Sequence, residues 1–73
     1  MTGVKYIVKP MKSIWGATIR ILNSDAAHEV MSYEFTGGTI NDAIKNAETK
    51  LKKFGYYISG EATEEDIEAY YDM

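Results

Sequence analysis

Hydrophobic and polar residues alternate with a period of two over residues 4–9. Val4, Tyr6 and Val8 fall on one face and Lys5 and Lys9 on the other, the pattern of a strand with one wet side. Pro10 is expected to end it, with a turn at 11–13. Residues 14–22 repeat the period, placing Trp15, Ala17, Ile19 and Ile21 inward and Thr18 and Arg20 outward. The cluster Asn23, Ser24 and Asp25 predicts a loop. A third strand is expected over 29–36, with Met31, Tyr33 and Phe35 inward and Ser32 and Glu34 outward. Three strands joined by short connections predict an antiparallel meander.

The period then lengthens. Ile40, Ala43, Ile44, Ala47, Leu51 and Phe54 recur at helical spacing, while Lys45, Lys50, Lys52 and Lys53 occupy other positions. Gly37 and Gly38 supply the turn into this helix, Thr39 with Asp42 suits its N-cap and first turn, and Gly55 suits its end. Residues 56–59 can add a short fourth strand. Thr63 can cap a final helix over 64–71, whose acids cluster where the helix dipole favours them. The expected fold is a single α+β domain over 1–73. It has a three- to four-stranded antiparallel sheet, in β-β-β-α-(β)-α order, packed on one main helix, and a short acidic helix at the C-terminal end.

Composition narrows what such a domain does. At 73 residues without cysteine, the chain has room for one small core and none for a thiolate metal site or a disulfide. A large buried cleft with separate substrate and cofactor subsites is not expected, so the chain is read as no enzyme, with no cofactor and no metal. His28, the single histidine, falls beside Asp25 and Glu29; a solvated, inert histidine is the expectation, with acid-base or metal chemistry the alternative. No metalloprotease, P-loop or calcium-loop pattern is present. Residues 1–12 carry three lysines and only a short apolar stretch, which predicts neither a leader nor a membrane span and makes the cytoplasm the expected location.

Charge is divided along the chain. All eight basic residues lie within 1–60 beside five acids, so that part is about +3; the other six acids fall in 61–73, which is −6. Lys45, Lys50, Lys52 and Lys53 on the main helix offer a nucleic-acid-binding alternative. A solvated helix face is the favoured reading of them, and Lys5, Lys9, Lys12 and Arg20 belong to another layer, so no continuous phosphate track is expected. The acidic segment is more informative. Glu61, Glu64, Glu65, Asp66, Glu68 and Asp72 keep company with Tyr56, Tyr57, Tyr70 and Tyr71 and with no Lys or Arg. Rigid amphipathic rings among carboxylates suit contact with a protein partner whose surface is basic. A frayed, solubilising helix is the plainer reading of the same residues.

Two families have a similar element order. The strand start Lys5-Tyr6-Ile7-Val8 and the run Gly38-Thr39-Ile40-Asn41-Asp42-Ala43-Ile44-Lys45-Asn46-Ala47 resemble the N-terminal module of HicB-type antitoxins over residues 4–55. In that family a strand opening with an aromatic is followed by a G-[DT]-T-hydrophobic-x-x-A-hydrophobic-x-N-A helix start. The resemblance implies neutralisation of a small RNA-cleaving toxin by direct contact. This chain lacks the family's P-D-L-P-G segment between strands. The order is also similar to the second half of a double-stranded RNA-binding domain, but the first helix is missing and 39–43 hold an acid in place of that family's lysine cluster. In size, acidity and want of catalytic residues the chain is similar in type to small inhibitors carried by bacteriophages, including anti-CRISPR and anti-restriction proteins. The leading expectation is therefore a phage- or mobile-element-encoded inhibitor. It would block a host nucleic-acid-processing enzyme through the acidic, tyrosine-rich segment. Pairing of an edge strand, 4–9 or 56–59, across a two-fold axis is an open possibility.

Overall fold

A computed structural model describes residues 1–9 and 16–71. The expected stop at Pro10, the turn at 11–13, Trp15 and Asp72 lie outside the described residues. The elements run β1 (Thr2–Lys9), β2 (Ala17–Ile21), α1 (Ser24–Val30), β3 (Glu34–Gly37), α2 (Ile40–Lys52), β4 (Tyr56–Glu61) and α3 (Glu64–Tyr71). The protein is α+β, with a four-stranded sheet in the order β3-β2-β1-β4. β1 with β2 and β2 with β3 are antiparallel, as the strand pattern predicts.

The fourth strand forms, but parallel to β1, so the sheet is mixed. The reason is the helix before it. α2 packs back along the sheet and returns the chain to the end where β3 began, so β4 must run parallel to β3. Two antiparallel steps make β3 parallel to β1, beside which β4 lies. The helix is long enough for this: 13 residues rise about 20 Å, against about 14 Å across three strand spacings. β1 has β2 on one side and β4 on the other, which closes the edge over residues 4–6 of one of the two pairing sites expected above; residues 7–9 lie beyond the reach of β4 and pair with β2 alone.

A second difference lies between β2 and β3. The expected loop at 23–25 is the start of α1, where Asn23 Oδ1 accepts the Ala26 amide at 2.9 Å. The expected third strand over 29–36 is correspondingly shortened to Glu34–Gly37. Met31, expected inward, is the left-handed residue that ends α1, with φ 58°, and is 89% exposed. The Ser32 amide reaches back to the Ala27 carbonyl at 3.0 Å and closes the turn.

Val4, Ile19, Ile21 and Phe35 form the sheet side of the core; Ala26 and Ala27 of α1 and Ala43, Ala47 and Leu51 of α2 form the helix side. The alanines let α2 sit close to the strands. Contact is tightest at Gly37, where a Cβ would lie 2.5 Å from the Ala43 nitrogen. Thr39 caps α2 by accepting the Asp42 amide at 3.1 Å, and Lys50 and Lys52 occupy the last turn. Gly55 follows at φ +84°, a conformation other residues adopt at a cost. Ile40 and Phe54, expected on the buried stripe, stand at the first turn and beyond the last one and are exposed.

Candidate partner-binding surface

The sheet alternation sorts the chain's charges onto two sides. Val4 faces the core, so Lys5 on the same strand faces away from it. Asp66 of α3 meets Lys5 at 2.9 Å, which places α3 over the face opposite α2. The beginning of α3 is fixed by a reciprocal cap: Thr63 Oγ1 accepts the Asp66 amide at 3.2 Å, while Asp66 Oδ2 accepts the Thr63 amide at 2.9 Å and its hydroxyl at 3.0 Å. These bonds and Lys5 hold the Asp66 carboxyl below its ordinary 3.8, at about 2, the Thr63 amide contributing most. Asp66 was expected among the partner-binding acids, but its carboxylate is occupied in tethering α3 to β1.

Near its other end α3 is attached by Tyr70, whose hydroxyl lies 3.2 Å from Ser24 Oγ at the start of α1. Asp66, Ile67 and Tyr70 are half-buried, and no residue of α3 is fully buried. The helix therefore turns one narrow stripe inward. Glu64, Glu68 and Tyr71, at i, i+4 and i+7, form the outward stripe with Glu65 beside it. Glu61 is exposed at the end of β4, and none of Glu61, Glu64, Glu65 and Glu68 has an ion-pair partner among the described residues. Tyr71 is 59% exposed and meets Tyr70 edge-on at 5.2 Å.

The other two candidate tyrosines part company. Tyr56 packs against the core, and its hydroxyl is held above its ordinary value by burial and by the Glu29 carboxylate, with Asp25 adding to it. Tyr57 points to the opposite face, over Gly3, and is 46% exposed. The Ser24–Tyr70 contact adds an acid that sequence reasoning missed. Asp25 borders the groove beside Tyr70, so the negative surface runs from α3 onto the first turn of α1. The signal was present in the sequence as an Asn N-cap before Ser-Asp-Ala-Ala, a helix start that resembles a turn.

The cations are arranged differently. On the sheet face that carries α3, Lys9 pairs with Glu34 and the Arg20 guanidinium lies 5.1 Å from the Tyr33 ring centre, with Nη1 4.0 Å from Glu34. Lys45, Lys50, Lys52 and Lys53 are exposed on the α2 layer. The two basic groups thus occupy opposite sides of the sheet and do not join. His28 stands on α1 and not in a loop, exposed and edge-on to Tyr33 at 6.3 Å. Among the described residues no three acidic or histidine side chains converge as a metal site, and no helix is long and apolar enough to cross a membrane. The concavity beneath α3, about 320 Å³ and wide open, is lined by Gly3, Val4 and Lys5 of β1 with Leu22, Ser59, Asp66, Ala69 and Tyr70. No family model, curated protein or solved structure significantly matches the chain.

Proposed function

We propose that the protein is a non-enzymatic binding inhibitor, encoded by a phage or mobile element and acting in the host cytoplasm. Its outward acidic stripe on α3 occupies a basic surface of a nucleic-acid-processing host protein. The observation that supports this most is the set of exposed carboxylates Glu61, Glu64, Glu65 and Glu68, none of them engaged by a cation among the described residues. Nearly every other strand charge near them is engaged. Exposed carboxylates at helical spacing mimic a run of phosphates to a partner that holds phosphates, and they steer association more than they add affinity. Tyr71 and Tyr57 supply the rings that anchor such a contact.

The test is affinity capture from the host lysate on the immobilised protein. The retained partner is expected to be a nucleic-acid-handling protein that is released by salt. The variant Glu64→Lys, Glu65→Lys, Glu68→Lys is expected to bind about a hundredfold more weakly, like charges across an interface costing several kcal/mol. Unchanged affinity in that variant overturns the proposal. Retention of nucleic acid alone, abolished by reversing Lys45, Lys50, Lys52 and Lys53, would favour direct nucleic-acid binding instead.

A second reading, a HicB-like module neutralising a small toxin, is favoured by one observation. The run from Gly38 to Ala47, which carries that resemblance, is a capped helix start packed on the sheet. Against it, α1 interrupts the strand-strand-strand-helix order. A small toxin gene beside this one would support this second reading.

A further inference from the structure

We propose that two copies of the chain associate through their β4 strands, paired antiparallel about a two-fold axis at Tyr57. Among the described residues β4 is an edge: β1 pairs with one side of it and nothing with the other. Edges of this kind are ordinarily blunted by lysine, proline or inward-pointing charge, whereas Tyr56, Tyr57, Ile58 and Ser59 carry none of these.

The hydrogen-bonding phase of β4 selects the register. The Thr2 amide donates to the Gly55 carbonyl at 2.9 Å, so Gly55 and Tyr57 turn their backbone groups toward β1. By alternation, the amides and carbonyls of Tyr56 and Ile58 point outward. An antiparallel neighbour centred on Tyr57 sets Tyr56 opposite the second copy's Ile58 and Ile58 opposite its Tyr56. Each of these outward amides and carbonyls then finds a partner. Beyond Ile58 the register against β1 shifts between Val4 and Lys5, which ends the regular edge and limits the pairing to this short segment.

The same register accommodates side chains on both faces. Tyr56, Tyr57 and Ile58 line a largely apolar groove of about 300 Å³ along the edge, which Met1 and, from α2, Glu48 and Lys52 complete. The second copy's Tyr56 and Ile58 would enter this groove as cross-strand aromatic and β-branched neighbours. On the face away from α2 each Tyr57 ring leans back over Gly3 of its own β1, so the two Tyr57 residues stand opposite each other across the axis without ring contact. Charge argues for the antiparallel sense. β4 is preceded by Lys52 and Lys53 and followed by Glu61, Glu64 and Glu65. In the antiparallel sense the basic end that precedes β4 in one copy lies toward the acidic end that follows β4 in the other; a parallel arrangement would set lysines beside lysines and acids beside acids.

Sedimentation equilibrium up to millimolar protein reads the association directly. The wild-type chain is expected to dimerise reversibly, less so as salt rises. Tyr57→Lys, which sets two ammonium groups across the axis, is expected to weaken the dimer about tenfold or more. Lys53→Glu is expected to weaken it as well, and the double variant Lys53→Glu, Glu61→Lys to restore it; this pair of exposed changes decides the matter even if the Tyr57 variant folds poorly. A wild-type chain that stays monomeric throughout, or a dimer indifferent to both single changes or not rescued by the double one, overturns the proposal. Partner capture through Glu64, Glu65 and Glu68 is a separate readout, so either idea can fail alone.

Discussion

α2 and α3 lie on opposite faces of one sheet, and they are held there by different means. α2 commits Ala43, Ala47 and Leu51 fully to the core, takes its cap from Thr39 and meets Gly37 at backbone contact distance. α3 buries no residue completely and is attached by the Lys5–Asp66 pair and the Tyr70–Ser24 contact. Apolar burial is the main source of folding free energy, while exposed ion pairs and single hydrogen bonds add little. The difference teaches which residues the fold has consumed. α2 spends its informative side chains on stability, whereas α3 keeps Glu64, Glu65, Glu68 and Tyr71 free of the fold and available for contact.

The contrast can be broken from the α2 side. Leu51→Ala removes a fully buried side chain between helix and sheet and is expected to cost about 2–5 kcal/mol in urea unfolding. Gly37→Ala would press a methyl group against the backbone of Asp42 and Ala43, forcing strand and helix apart for about 1–3 kcal/mol by the same measurement. Thr39→Ala, which loses the cap on the Asp42 amide, is expected to cost about 1 kcal/mol. Asp66→Asn acts on α3 alone: amide exchange across 64–71 should accelerate while the global unfolding midpoint stays in place. Acid should do the same. The Asp66 carboxyl is depressed from 3.8 to about 2, so its tether is complete above the ordinary value and is lost as pH falls through about 2. Faster exchange throughout the sheet in Asp66→Asn would show that α3 belongs to the cooperative core.

How far the sequence disclosed these roles depended on whether the deciding partner was local. α2 was legible because its small apolar residues keep the helical period over more than three turns between Thr39 and Gly55. α1 was not, since seven residues give too little period and its cap, Asn23 before Ser-Asp, is also turn chemistry. Met31 falls two residues before Tyr33 and four before Phe35, so alternation placed it inward, while the left-handed end of α1 turns it out. β4 was visible as a strand, but its direction is set by the return path of α2. On the candidate surface, the outward spacing of Glu64, Glu68 and Tyr71 could be read from helical geometry. The commitment of Asp66 could not, because Lys5 lies 61 positions away. Tyr56 and Tyr57 looked equivalent until the sheet put them on opposite faces.

The claim that the outer stripe of α3 is not used by the fold has one direct measurement: the unfolding free energy of the variant Glu64→Gln, Glu65→Gln, Glu68→Gln. The charges are removed while size and helix propensity are nearly kept. The account predicts a loss of no more than about 1 kcal/mol, the share that Glu64 and Glu65 contribute through the dipole at the first turn of α3. A loss of about 2 kcal/mol or more, the range of buried or networked groups, would contradict it.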